Sequence, residues 1–156
     1  MKFCICPIKN LNNISKCDTS RKAAIVSSTE HPEASYLPDF PFFLRLYEDI
    51  DREIPERSFS KEDAEVIAGF VRSQIDFVDT LYICCDAAES RSPAVASAVM
   101  RYFGLDDTEI WRNPHYHPNM LVFLSLCKEL GISVSDGEAD ALMYENMKAF
   151  RDALNN

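Results

Sequence analysis

Cys85 and Arg91 stand six positions apart, in the segment Cys85-Asp86-Ala87-Ala88-Glu89-Ser90-Arg91-Ser92. A cysteine thiolate is a strong nucleophile, and the planar guanidinium of an arginine can hold two oxygens of a phosphoryl group at once. Ser92 adds a hydroxyl that can hydrogen-bond the sulfur when it departs. In a chain with six cysteines the spacing alone is a weak signal, so its value depends on the elements around it.

Those elements are a strand before the cysteine and a helix after the arginine. The apolar run from Thr80 to Cys84 is typical of a buried central strand. Pro93 suits the first turn of a helix, which Gly104 is placed to end. Between strand and helix, successive backbone N–H groups can turn inward around an anion, and the helix dipole adds to the same field. The segment therefore predicts an anion-binding loop that also stabilises the thiolate of Cys85.

The rest of the chain alternates between strand and helix patterns. Short apolar or alternating runs predict strands at 3–8, 23–26 and 43–46, and apolar residues at helical spacing predict helices at about 61–77, 94–103, 119–130 and 138–154. Ser60 and Asp63 resemble a capping box at the start of the first of these helices. Interleaved strands and helices indicate an α/β domain with a largely parallel sheet, whose ligands bind at the carboxyl ends of the strands. Cys85 lies at such an end.

Length and composition limit the alternatives. With 156 residues, 47% hydrophobic and 26% charged, the chain fits a single domain over residues 1–156. It has no apolar run of about 18 residues and no segment like a signal peptide, so we expect a cytoplasmic protein with reduced thiols. The net charge of −9 argues against nucleic acid or an anionic membrane as partners. An anionic ligand must therefore be captured locally.

The segment 84–92 resembles the signature loop of the cysteine-dependent protein tyrosine and dual-specificity phosphatases, commonly written HCxxGxSRS. The positions that match are Cys85, Ser90, Arg91 and Ser92, and Pro93-Ala94 continues the dual-specificity pattern. Cys84 replaces the usual histidine and Ala88 the usual glycine. The resemblance implies a three-layer α/β sandwich, with a mostly parallel sheet of about four to five strands flanked by helices.

The resemblance also implies an activity and the roles of its residues. The activity is that of a phosphomonoesterase which forms a cysteinyl-phosphate and needs no cofactor or metal. Its substrate would be a phosphorylated protein or a small phosphoester. The implied catalytic residues are Cys85 as nucleophile, Arg91 and Ser92, and the implied phosphate-binding residues are Asp86, Ala87, Ala88, Glu89, Ser90 and Arg91.

Members of this family need a general acid, usually an aspartate about thirty residues before the nucleophile. Asp49 and Asp51 lie thirty-six and thirty-four residues upstream of Cys85, after a predicted strand. We favour Asp49, which would protonate the leaving oxygen and then activate water against the cysteinyl-phosphate. Asp51 remains the alternative.

Two other functions are open at this point. If the loop requires positive φ at Ala88, a non-glycine residue there costs on the order of 1 kcal/mol. Asp86 and Glu89 repel an anion if their side chains point inward, and are harmless if they point outward. These features favour a catalytically weak or inactive module that binds phosphate without turnover. A redox or sulfur-handling protein built on Cys84 and Cys85 is the third candidate.

The segment 113–119 contains two histidines between prolines. The spacing of His115 and His117 lacks the paired pattern of a structural zinc site. We therefore predict a rigid loop that caps the next helix, with Asn119 as the N-cap.

Overall fold

A computed structural model describes residues 1–28, 42–47, 59–74 and 77–155, with residues 42–47 described by their backbone. These residues include four strands, β1 (Lys2–Pro7), β2 (Lys22–Ser28), β3 (Phe42–Tyr47) and β4 (Thr80–Cys85). They also include six helices, α1 (Ile8–Ser15), α2 (Lys61–Gln74), α3 (Arg91–Tyr102), α4 (Thr108–Arg112), α5 (Met120–Glu129) and α6 (Asp136–Leu154). No helix in the described part of the chain has both the length and the apolar content to span a bilayer.

The four strands form one parallel sheet in the order β1-β4-β2-β3. In this sheet β4 lies between β1 and β2, and Cys84 is opposite Cys6 on one side and Val26 on the other. Every residue of β4 is buried. A parallel strand covered on both faces needs apolar side chains at successive positions, which explains the uninterrupted apolar run in the sequence.

Helices cover both faces of the sheet and complete three layers. Side chains alternate along each strand, so neighbouring residues of β2 and β4 belong to different apolar clusters. Ala23, Ile25, Leu81 and Ile83 pack in a large cluster with buried residues of α2, α3 and α5. On the opposite face, Ala24, Val26, Tyr82 and Cys84 pack against Leu11 of α1. The predicted fold class, a parallel sheet flanked by helices, is confirmed.

The predicted helix boundaries depend on local hydrogen bonds that the structure contains. The Ser60 N–H donates to Asp63 Oδ2 at 2.8 Å, and the Asp63 N–H donates to Ser60 Oγ at 3.1 Å, which is the predicted capping box of α2. Asn119 Oδ1 accepts from the Val122 N–H at 3.1 Å and caps α5 as predicted. Gly104, with φ of +67°, follows the last turn of α3.

Two helices were not predicted from the sequence. The helix α1, with sequence IKNLNNIS, contains three asparagines and begins without a side-chain cap. Its local propensity is therefore poor, and burial of Leu11 against the sheet stabilises it instead. The helix α4 has only five residues and buries Ile110 and Trp111. The helix predicted over 61–77 is described as far as Gln74.

Candidate active site

Cys85 is the last residue of β4, at the carboxyl edge of the sheet. The residue is 3% exposed, and its Sγ lies 3.1 Å from the Oγ of Ser92 in the first turn of α3. Ser92 is fully buried, so the hydroxyl is held against the sulfur by the packing of α3 on the sheet. The structure thus places the Ser92 hydroxyl in contact with the Cys85 sulfur, the pair that the sequence analysis had put together.

The loop from Asp86 to Ser90 joins β4 directly to α3. Within it Ala88 has φ of +61°, the one positive φ of a non-glycine residue in the described part of the chain. The Cβ of an L-residue crowds the backbone in this region, at a cost of roughly 1–2 kcal/mol. Ala88 is nevertheless 7% exposed, so its methyl group is buried. The conformation that the usual glycine would favour is therefore kept here by an alanine.

Arg91 is buried and has two described partners. Its Nη2 donates to Asp86 Oδ2 at 2.5 Å, and its Nη1 donates to the Ser27 Oγ at 3.4 Å. Ser27 is one residue beyond Val26, which pairs with Cys84, so Ser27 lies level with Cys85 near the carboxyl ends of neighbouring strands. The guanidinium thus lies at the same sheet edge as the nucleophile. Of the two orientations open for Asp86, the structure shows the carboxylate directed to Arg91.

The segment 113–119 supports the outer side of the loop. The His117 N–H donates to the Glu89 carbonyl at 2.7 Å, and the Asn119 N–H donates to the Ser90 carbonyl at 3.2 Å. Glu89 and Ala87 are exposed, so their side chains point away from the protein interior. The carbonyls of Glu89 and Ser90 are thereby bonded to the supporting segment.

A buried asparagine of α6 ties this supporting segment in place. The Asn146 Nδ2 donates to the Tyr116 carbonyl at 2.7 Å and to the Trp111 carbonyl at 3.2 Å. The side chain thereby links α6 to the chain immediately before His117. His117 in turn places its ring edge-on to Phe150 of α6, with the ring centroids 5.0 Å apart. The sequence identified this segment as a rigid loop, but it held no signal for its bonds to residues 89 and 90.

Cys84 and Cys85 face opposite sides of the sheet. The Cys84 Sγ lies 3.4 Å from the Cys6 Sγ in the cluster beneath α1, whereas Cys85 faces Ser92. A hydrogen bond with Cys4 lowers the pKa of the Cys6 thiol, but the contact with Cys84 and burial outweigh it and raise the pKa to about 12. Burial likewise raises the pKa of Cys127 to about 12. The thiols of Cys6 and Cys127 therefore stay protonated near neutral pH, and the described cysteines form no disulfide.

Asp49 and Asp51, the candidates for the general acid, lie outside the described residues. In the described ranges, no group of three or more histidine, cysteine or acidic side chains is arranged to hold a metal ion.

Comparisons with known proteins bear on the fold. Neither a protein-family model nor a curated protein sequence matches the chain. The crystal structure of DUSP15 superposes with a TM-score of 0.53 and 15% sequence identity, over 94% of this chain and 90% of that chain. The chain has the fold of a dual-specificity phosphatase.

Two further solved structures are similar to this chain at lower scores. The crystal structure of human DUSP28 has a TM-score of 0.49 and 13% identity, over 97% of this chain and 94% of that chain. The crystal structure of PTPMT1 in complex with PI(5)P has a TM-score of 0.47 and 15% identity, over the same shares of the two chains. The likeness to DUSP15, at 15% identity, concerns the fold alone, so the chemistry has to be argued from the residues themselves.

Proposed function

We propose that this protein is a cysteine-dependent phosphomonoesterase of the tyrosine and dual-specificity type. The observation that carries the proposal is the contact between Cys85 and Ser92 at the junction of β4 and α3, with the buried side chain of Arg91 beginning the same helix. A nucleophile, a hydroxyl for the departing sulfur and a phosphate-binding guanidinium thus belong to one strand–loop–helix unit, within a phosphatase fold.

In the proposed first step, the Cys85 thiolate attacks phosphorus. The S–P bond forms as the ester P–O bond breaks, while the guanidinium of Arg91 and the loop 86–90 hold the non-bridging oxygens. Asp49 protonates the leaving oxygen, since an unprotonated alkoxide or phenolate leaves poorly, and Asp51 is the alternative acid.

In the second step, the same carboxylate takes a proton from water, which attacks phosphorus. The S–P bond breaks, inorganic phosphate forms, and the Ser92 hydroxyl donates a hydrogen bond to the departing thiolate of Cys85. A hydrogen bond to a charged group contributes about 1.5–3 kcal/mol, so this contact is worth roughly 10- to 100-fold in the rate of the step.

The substrate in this proposal is a phosphorylated protein or a small phosphoester. Nucleic acid and membrane are not proposed as partners, because the net charge of −9 opposes attraction to polyanions. The chemistry calls for no cofactor, and we propose that it takes place in the cytoplasm.

A second candidate function is phosphate binding without turnover. It is favoured by the positive φ of Ala88 and by the ion pair between Arg91 and Asp86, which together place strain and an acidic group inside the loop. Such a module would recognise phosphorylated ligands and release no phosphate.

Hydrolysis of p-nitrophenyl phosphate separates the two functions. We expect turnover by the wild type, loss of turnover in Cys85→Ser with vanadate binding retained, and unchanged turnover in the control Cys17→Ser, which alters an exposed cysteine. Asp49→Asn and Asp51→Asn identify the general acid, because only one of them should lower turnover strongly. Binding of vanadate with no phosphate release by the wild type would instead support the binding module.

A further inference from the structure

The ion pair inside the loop involves the side chain that would hold the phosphate. The Arg91 Nη2 and the Asp86 Oδ2 are 2.5 Å apart, and the side chains are 8% and 35% exposed, respectively. The guanidinium is therefore enclosed, whereas the carboxylate stands at the rim. Asp86 also follows the nucleophile directly in the chain, so it cannot move far from the site.

A carboxylate presents two oxygens to a guanidinium much as a phosphoryl group does. Both terminal nitrogens of Arg91 have a partner in the chain, with Nη1 directed to Ser27 and Nη2 to Asp86. A phosphoryl group that takes two N–H donors of this guanidinium must displace the Asp86 carboxylate from Nη2 or share that nitrogen with it. Because Nη2 carries two N–H groups, Asp86 and the ligand either exclude each other at this nitrogen or lie close enough there to repel each other.

The competition has a consequence for the charge around a bound phosphate. With a dianion at Arg91, the carboxylate of Asp86 remains in the same five-residue loop, together with the exposed Glu89. Like charges a few ångströms apart near a protein surface repel, and the overall charge of −9 adds to this field. A cationic group beside the phosphate on the ligand would offset the repulsion, whereas a second anionic group would increase it.

We propose that Asp86 is a specificity-determining residue, which lowers the affinity of the loop for bare phosphate and selects phosphoesters with cationic groups next to the phosphate, such as phosphopeptides with flanking lysine or arginine. This inference deepens the proposed function and rests on it for the identification of the site as a phosphate site. The competition between Asp86 and phosphate for Arg91 affects binding alone and can be measured without turnover.

The test therefore measures binding in the Cys85→Ser background, where no turnover intervenes. Dissociation constants are measured by calorimetry for inorganic phosphate and for two phosphotyrosine peptides of equal length, one flanked by lysines and one by glutamates. The variants are Asp86→Asn, which is nearly isosteric and removes the charge, Asp86→Glu, which keeps it, and Asp140→Asn. The last changes an exposed carboxylate of α6 and matches the change in net charge.

We expect Asp86→Asn to bind inorganic phosphate about tenfold more tightly, which corresponds to about 1.4 kcal/mol. The preference for the lysine-flanked peptide should fall by a similar factor. Asp86→Glu should keep the preference, and Asp140→Asn should leave both quantities within about twofold, as is typical of a remote surface charge. Unchanged phosphate affinity and an unchanged peptide ratio in Asp86→Asn would overturn the proposal.

Turnover of p-nitrophenyl phosphate by the Asp86→Asn chain with Cys85 intact is measured separately. Tighter phosphate binding without turnover in any chain would end the proposed catalytic function and support the role of Asp86. Turnover by the wild type with no effect of Asp86→Asn on binding would support the catalytic function and overturn the role of Asp86.

Discussion

Replacing Ala88 with glycine tests whether the loop from Asp86 to Ser90 requires a positive φ at residue 88. Ala88 is buried and has φ of +61°. Glycine relieves roughly 1–2 kcal/mol of steric cost in the left-handed region. Against this, glycine adds about 0.4–1 kcal/mol of conformational freedom to the unfolded chain, and the lost methyl group removes about 0.8 kcal/mol of burial. The terms nearly cancel, so the free energy of unfolding of Ala88→Gly should lie within about 1 kcal/mol of the wild type.

The same substitution at Ala96 is the matched control. Ala96 is fully buried in α3, and no strain is relieved there. Glycine costs about 0.8–1.0 kcal/mol in a helix interior, and loss of the methyl burial adds about 0.8 kcal/mol. We therefore expect Ala96→Gly to be destabilised by about 1.7 kcal/mol, well beyond Ala88→Gly.

Urea unfolding followed by the fluorescence of Trp111 measures both variants. Trp111 is the single tryptophan of the chain and is 2% exposed, so its emission reports on loss of the core. Equal destabilisation of the two variants would refute the reasoning, because it would mean that the loop does not require positive φ at residue 88.

Substitutions at three other hydrogen-bonded residues should also have measurable effects. Ser92→Ala should lower kcat for p-nitrophenyl phosphate roughly 10- to 100-fold through slower breakdown of the cysteinyl-phosphate, seen in stopped-flow traces as a burst of p-nitrophenol. Hydrogen bonds from Ser20 and Tyr82 lower the pKa of Asp18, so its contribution to stability is present above the unfolded pKa of about 4 and is lost as the pH falls. Urea titrations at pH 7 and pH 3 should therefore show a smaller loss of unfolding free energy in Asp18→Asn than in the wild type. Asn146→Ala leaves two carbonyls without this donor and should reduce the free energy of unfolding by about 1–3 kcal/mol, a result that unchanged urea midpoints would contradict.

The secondary-structure features that depend on residues close together in the chain were predictable from the sequence. The apolar run of β4, the capping box of Ser60 and Asp63, the Asn119 cap and the glycine after α3 each show in a short stretch of sequence. The capping hydrogen bonds join residues only three positions apart, and the buried residues of β4 are consecutive in the chain. The helix α1 was not predictable in this way, because its sequence disfavours a helix and only the sheet surface beneath Leu11 stabilises it.

In the candidate site, too, the local features were predictable and the features that depend on tertiary contacts were not. The spacing of Cys85, Arg91 and Ser92 predicted one strand–loop–helix unit, and the contact between Cys85 and Ser92 joins the strand and the helix of that unit. The sequence left the direction of the Asp86 carboxylate open, and Ala88 only implied a strained backbone if φ were positive. The tertiary structure gave both answers: the carboxylate is directed to Arg91, and Ala88 has a positive φ in a loop that the segment 113–119 also bonds at residues 89 and 90.

By itself, then, the sequence determined a strand–loop–helix unit with a nucleophile at the strand end and an arginine at the helix start, because propensity, patterning and capping act over a few residues. Only the tertiary structure decided that Ser27 meets Arg91 and that Cys6 meets Cys84, contacts between residues 64 and 78 positions apart. Such contacts exist because parallel strands bring distant segments together at one edge of a sheet, and no local pattern specifies which side chains meet there.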